Sequence, residues 1–232
     1  MTEAEWLHHT TDLAALVGRL DDRRGASRRK CALLVVAFCR RLWHLLADDR
    51  SRVGVEYTEA LADDPEGTDR HWPRSYPRSA PENACYEAPD APFGPLQAAA
   101  HLAYEVSGFL LWGAGDPERA LELSELGRLT VAADRGGVSG SPDQEVTAHC
   151  VLVRDIFGNP FRPVFVNPEW RTSTVLALAQ QMYDSRDFSA MPILADALEG
   201  AGCADEAMLA HCRGPGPHVR GCFCVDAILG KT

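Results

Sequence analysis

The chain has 232 residues and is 46% hydrophobic, enough apolar surface for a buried core and too much for disorder throughout. Acidic residues outnumber basic ones by 33 to 23, a formal charge of −10 that repels phosphate backbones and argues against nucleic acid as the main partner.

Thr2 and Glu5 have the spacing of a capping box, which predicts a short helix from residue 3 carrying Trp6 and Leu7. Thr11 and Asp12 mark a second helix start, followed by Leu13, Leu16, Val17 and Leu20 at helical spacing. Arg23, Arg24, Arg28, Arg29, Lys30, Arg40 and Arg41 form one basic island, flanked by Asp21, Asp22, Asp48 and Asp49. That mixture reads as a charge-balanced helix surface. Ser27 caps a helix expected over 28–47, whose positions Cys31, Leu34, Phe38, Leu42 and Leu45 keep the helical period. Leu33, Val35 and Val36 widen its apolar stripe almost to a full circle, so this helix belongs at the centre of a core. A weaker helix is expected over 52–62.

Six prolines between Pro73 and Pro95 then break the pattern, and 65–94 reads as a long loop or internal linker. Helical signals return at Leu96. Asp116 with Pro117 opens the next helix, Gly136–Gly140 interrupts as a flexible break, and Ser141-Pro142 begins a helix that Gly158-Asn159-Pro160 stops. Val164-Phe165-Val166 allows one short strand at most. Asn167-Pro168-Glu169 opens a further helix, Ser189 with Pro192 another that Gly202 ends, and 205–212 and 217–229 are two last short helices. The expected fold is all-α: an irregular bundle of about ten short helices with a long Pro-rich loop. Its parts are an N-terminal helical part (1–64), the 65–94 loop or linker and a C-terminal helical part (95–232), expected to pack as one compact unit, with two packed subdomains split near 65–95 as the alternative.

No run reaches the roughly 18 apolar residues of a membrane span. The acidic, amphipathic start Met1–Trp6 is not an export signal. The expectation is a cytoplasmic protein without a membrane partner, whose eight Cys are thiols or metal ligands rather than disulfides.

Several stretches carry a resemblance. Met1–Leu7 (MTEAEWL), the basic-apolar-basic run Phe38–Leu46, Leu152–Pro163 (LVRDIFGNPFRP), Leu194–Cys203 (LADALEGAGC) and His211–Lys231 (HCRGPGPHVRGCFCVDAILGK) are similar to segments of a large paralogous family of planctomycete proteins. The likeness leaves 65–145 unmatched, and it implies no activity, cofactor or site residue. Within 175–203, Ala195–Gly202 also resembles the helix end of a short repeat-companion module of the same bacteria, Ala-Asp-x-Leu-Glu-x-x-Gly.

The densest chemistry is C-terminal, where His211, Cys212, His218, Cys222 and Cys224 cluster. Zinc takes about four N or S ligands in a tetrahedron, and pairs two to five residues apart are typical. Helical phase argues the other way. Cys222 and Cys224, two apart on a helix, face apart, and Cys212 and Cys222 fall on inward positions where a free Cys packs as a small hydrophobe. The expectation is therefore no metal and no cofactor. Zinc on His211, Cys212, His218 and Cys222 is the alternative, because the turn Gly214–Pro217 can bring a His to Cys222.

Cys31 and Cys39 lie about 12 Å apart by helix rise and read as core. His149-Cys150 and His211-Cys212 are adjacent pairs that diverge on a helix and cannot act as nucleophile and base. No hydrolase, dinucleotide or phosphate-loop motif is present. Asp155, Arg162, Asp196, Arg220 and Asp226 are charges among apolar residues, read as ion pairs that dock helices. The expected function is a non-catalytic protein-interaction or regulatory module with a protein partner. The alternatives are a metal-dependent or Cys-based enzyme using the C-terminal His/Cys cluster, and nucleic-acid binding through the Arg23–Arg41 island.

Overall fold

The computed structural model describes residues 1–8, 12–21, 26–67, 71–90, 94–108, 117–134 and 140–231. Twelve α-helices and no strand occur among them, so the chain is an all-α irregular bundle of short helices. Thr11, Asp22, Arg23, Arg24, Asp116 and Gly136–Ser139, which carried cap, charge and hinge expectations, lie outside the described residues. No described helix is long and apolar enough to cross a membrane.

The chain divides into two compact units. One is His8–Cys150 with Met1; the other joins Thr2–Leu7 to Val151–Thr232. The division falls inside a helix, Pro142–Phe157, and not at the proline-rich stretch 65–94.

In the first unit, α2 (Leu13–Asp21), α4 (Asp49–Asp63), α6 (Pro95–Gly108) and α7 (Pro117–Ala133) gather around α3 (Arg28–Arg41) or its neighbours. The Ser27 hydroxyl caps α3 by accepting from the Lys30 N–H. Every residue from Cys31 to Cys39 is buried, as a helix apolar at every phase requires. The helix ends at Arg41, short of 47. Leu42 leaves it into a 3-10 turn, Trp43–Leu45, and Asp48 then caps α4 by accepting from the Arg50 N–H at 2.8 Å.

The stretch 65–94 is not a free linker. It contains α5 (Ala80–Tyr86), which packs on α4 and α6. Pro81 sits in the first turn of α5, where its missing N–H leaves no hydrogen bond unmade. Trp72 meets Tyr57 edge-on at 4.9 Å and clusters with Leu61 and Ala80. Proline excluded helix only where it fell beyond a first turn.

The second unit holds α1 (Glu3–His8), the end of α8 (Pro142–Phe157), α9 (Ser173–Ser185), α10 (Met191–Gly200), α11 (Glu206–Arg213) and α12 (Phe223–Leu229). The capping box forms reciprocally: Thr2 N–H donates to Glu5 Oε2, and Glu5 N–H to Thr2 Oγ1. Trp6 Nε1 donates to the Gly158 carbonyl at 3.0 Å, and Arg154 Nε donates to the Trp6 carbonyl, which seats α1 on the end of α8. Val175, Met182, Leu194, Leu198, Met208, Val225 and Ile228 form the core.

Two helix starts differ from expectation. Asn167-Pro168-Glu169 opens only a 3-10 turn, Pro168–Trp170, and α9 begins later, capped by the Thr172 hydroxyl. The last helix starts at Phe223 rather than 217, because Gly221 has φ +96, outside the helical region.

Candidate metal centre

Four side chains of the second unit converge. Asp155 lies in the last turn of α8, His211 in the last turn of α11, His218 in the irregular segment between α11 and α12, and Cys222 immediately before α12. One ligand atom from each lies within 4.8 Å of all the others. Asp155 Oδ1 is 2.8 Å from His218 Nδ1 and 3.3 Å from His211 Nε2, and that same Nε2 is 3.1 Å from Cys222 Sγ. The other carboxylate oxygen accepts from the Val219 N–H at 3.0 Å. Cys222 is 0% exposed, and the side chains of Asp155, His218 and His211 are 3%, 8% and 18% exposed, so water has little access.

Packing holds this geometry. The ring of Phe223 lies 4.3 Å from that of His211, and His211 meets His218 edge-on at 4.6 Å. Gly158, with φ +65, turns the chain three residues after Asp155; a Cβ there would stand 2.8 Å from the Phe223 ring. Only glycine gives that turn without strain and leaves the ring its place.

The electrostatics are those of a carboxylate held by imidazoles. Burial pushes the Asp155 carboxyl up, but hydrogen bonds to His211 and His218 outweigh it and set it below the usual carboxylate range. Burial pushes the Cys222 thiol well above its ordinary value, and the Asp155 charge adds to this. The backbone N–H groups of Val225 and Cys224 act in the opposite, weaker sense. His218 Nε2 is buried with no hydrogen-bond partner among the described residues.

This arrangement does not suit a nucleophilic cysteine. A Cys-His-Asp relay needs sulfur and carboxylate on opposite ring nitrogens. Here both face Nε2 of His211, and the thiol is buried and held protonated. Four donors of mixed N, O and S type around one point instead match the pattern of a metal-ligand set.

Three of the four residues singled out from the sequence, His211, His218 and Cys222, belong to the set. Cys212 does not: it faces Cys224, sulfur to sulfur, at 3.3 Å. Cys222 precedes the helix rather than lying on it, yet it and Cys224 still face apart, toward His211 and Cys212. Asp155 takes its place as the fourth donor. The sequence signal for it was an acid among Leu152, Val153 and Ile156, all buried. Of the other charges, Arg162 pairs with Glu3 at 2.9 Å and Asp196 with Arg213 at 3.1 Å at the surface, Arg220 lies over the Tyr183 ring at 4.5 Å, and Asp226 is buried.

The first unit carries its own polar cluster. Arg41 clamps Glu145 with two hydrogen bonds of 2.9 and 2.8 Å, His149 Nε2 approaches the same carboxylate at 3.0 Å, and Ser124 Oγ is 2.7 Å from His149 Nδ1. Ser124, His149 and Glu145 are all buried, and Ser124 sits mid-helix, where its neighbouring N–H groups are engaged and offer no oxyanion hole. This is a structural network. In the basic island, Arg29, Arg40 and Arg41 are likewise paired, with Asp63, Glu59 and Glu145. A pocket of about 560 Å³ opens beside the start of α4. Its one arginine, Arg50, is neutralised by Asp48 and Glu87, each at 2.7 Å.

Compared with family models, with curated proteins and with solved structures, the chain finds no match in any of the three.

Proposed function

We propose that this protein is a metal-binding helical module whose second unit takes one transition-metal ion through Asp155, His211, His218 and Cys222. The observation that carries the reading is the convergence of these four donors within 4.8 Å, from three separate stretches of the chain, in a nearly buried site. A buried carboxylate beside a buried thiol is costly without a cation. An ion supplies that charge and ties the end of α8 to α11 and α12. In this reading the protein acts by binding: it remains a non-catalytic interaction or regulatory module with a protein partner, and the metal fixes the surface it offers. We also assign the chain to the planctomycete paralogous family on its motifs; all four donors fall inside two of them, LVRDIFGNPFRP and HCRGPGPHVRGCFCVDAILGK.

The test is metal analysis of the full chain purified with zinc in the medium. One equivalent is expected, retained by Cys212→Ser and lost or halved by Cys222→Ser and by Asp155→Asn. Absence of bound metal in the wild-type chain, or equal loss from Cys212→Ser, would sink the reading.

A further inference from the structure

We infer that the ion is zinc(II), held in a closed, charge-neutral centre that serves as a structural clamp with no water in its coordination sphere. This rests on the metal-binding reading above and names the ion and its role.

Donor chemistry narrows the choice first. Two imidazoles, one thiolate and one carboxylate are soft to borderline ligands. Calcium and magnesium require shells built from oxygen, six or more donors strong, which this set does not offer. Charge narrows it further. With Asp155 ionised and Cys222 as thiolate, the set carries two negative charges. A divalent ion brings the sum to zero, a monovalent ion leaves a net negative charge, and a trivalent ion a net positive one. In a site where Cys222 is 0% and the Asp155 side chain 3% exposed, an unbalanced charge is the expensive outcome.

Geometry selects among divalent ions. Metal–donor distances of about 2.0–2.3 Å put the donors of a tetrahedral zinc site about 3.3–3.6 Å apart. The separations here, 2.8, 3.1 and 3.3 Å within an outer limit of 4.8 Å, bracket that spacing, so an ion is accommodated by opening the closest contacts by about half an ångström and closing the widest by about an ångström. Zinc has no geometric preference of its own and accepts a tetrahedron, whereas copper(II) and nickel(II) favour tetragonal arrangements.

Closure follows from the count. A catalytic zinc keeps three protein ligands and an open fourth position for water. Four protein donors are present here, and the site they form is nearly closed to water, with Phe223 packed on His211 at 4.3 Å. The second coordination layer is also in place. The Val219 N–H holds the free oxygen of Asp155 at 3.0 Å, and the Cys222 thiol becomes a thiolate by releasing its proton as the ion binds. The role that remains for such an ion is mechanical: it joins α11 and α12, each too short to be stable alone, to the end of α8.

The experiment is cobalt(II) substitution of the full chain followed by visible absorption. The clamp predicts the intense spectrum of four-coordinate cobalt with one thiolate charge-transfer band, unchanged as pH passes through about 7, where a metal-bound water would ionise. Zinc added in equal amount should bleach it. Cys222→Ser should abolish the charge-transfer band while Cys212→Ser keeps it. A weak five- or six-coordinate spectrum, or one that titrates near neutrality, would mean an open site; it overturns the clamp and leaves metal binding standing. Failure of the chain to take up cobalt or zinc at all overturns both.

Discussion

Glu145 shows how a single buried charge ties stability to pH. Its carboxylate is almost fully enclosed. Burial pushes its pKa up, but His149 and the two-pronged Arg41 outweigh burial and bring it down to about 2. A folded-state pKa below the unfolded one means that the native state resists protonation, so the stabilisation is complete above the unfolded value and is lost as pH falls toward 2. From a usual value near 4.5, the shift is worth on the order of 3 kcal/mol at most. His149 acts in the same direction at higher pH. Burial keeps its ring neutral below its ordinary value, so acid that charges the unfolded chain below about 6.5 also favours unfolding. Denaturant unfolding of the first unit should therefore weaken from about pH 6.5 downward and most steeply below about 4.5. Glu145→Gln should be less stable at neutral pH and should flatten the lower part of that profile. An unchanged profile in Glu145→Gln would show that the carboxylate is not the titrating group.

At the scale of elements, helix interiors were legible and irregular joints were not. Nine successive buried residues make α3 recognisable at any phase, and Thr2 with Glu5 announced α1 through a spacing that the hydrogen bonds confirm. Phe38, 0% exposed and stacked at 3.9 Å on His149, tests the centre of that helix. Phe38→Ala should cost about 3–5 kcal/mol in thermal or denaturant unfolding. A loss under about 1 kcal/mol would be incompatible with a core ring. The joint between α11 and α12 defeated helical phase because positive φ at Gly216 and Gly221 takes the backbone off the helical path, and a pattern of apolar residues carries no trace of that. The candidate donor set was only partly legible for a related reason. His211, His218 and Cys222 are near neighbours in sequence and stood out by spacing. Asp155 comes from a different helix, and a ligand contributed across the fold leaves only the oddity of an acid on an inward phase. Gly158 couples these levels. Gly158→Ala should lose at least about 1–2 kcal/mol from forcing a side chain into the left-handed region. The displaced Phe223 ring should also weaken metal retention. Normal stability with normal metal content in that variant would mean the turn does not brace the site.

For the molecule as a whole, the proposed metal site predicts how the two compact units respond to loss of the ion. The boundary at Cys150 and Val151 falls within α8, where Cys150, Leu152 and Val153 are all buried, so no exposed linker marks it. The donors all belong to the second unit, whose helices after α9 are short: ten residues in α10, eight in α11 and seven in α12. The first unit instead has helices of fourteen and fifteen residues, α3 and α4, packed directly on each other. Local opening is governed by how many buried contacts a segment can lose before it opens, and short elements joined by irregular chain open first. Chelation of the full chain should therefore raise amide hydrogen exchange in 206–229, and most at α12, whose start depends on Cys222. Amides of α3 should keep their protection, because none of their partners is a metal ligand. The same pattern should appear without chelator in Cys222→Ser. Loss of protection in α3 to the same extent would show one cooperative unit rather than two. Unchanged exchange in 206–229, in a chain shown to have released its metal, would mean that apolar packing around Met208, Val225 and Ile228 holds these helices without the ion.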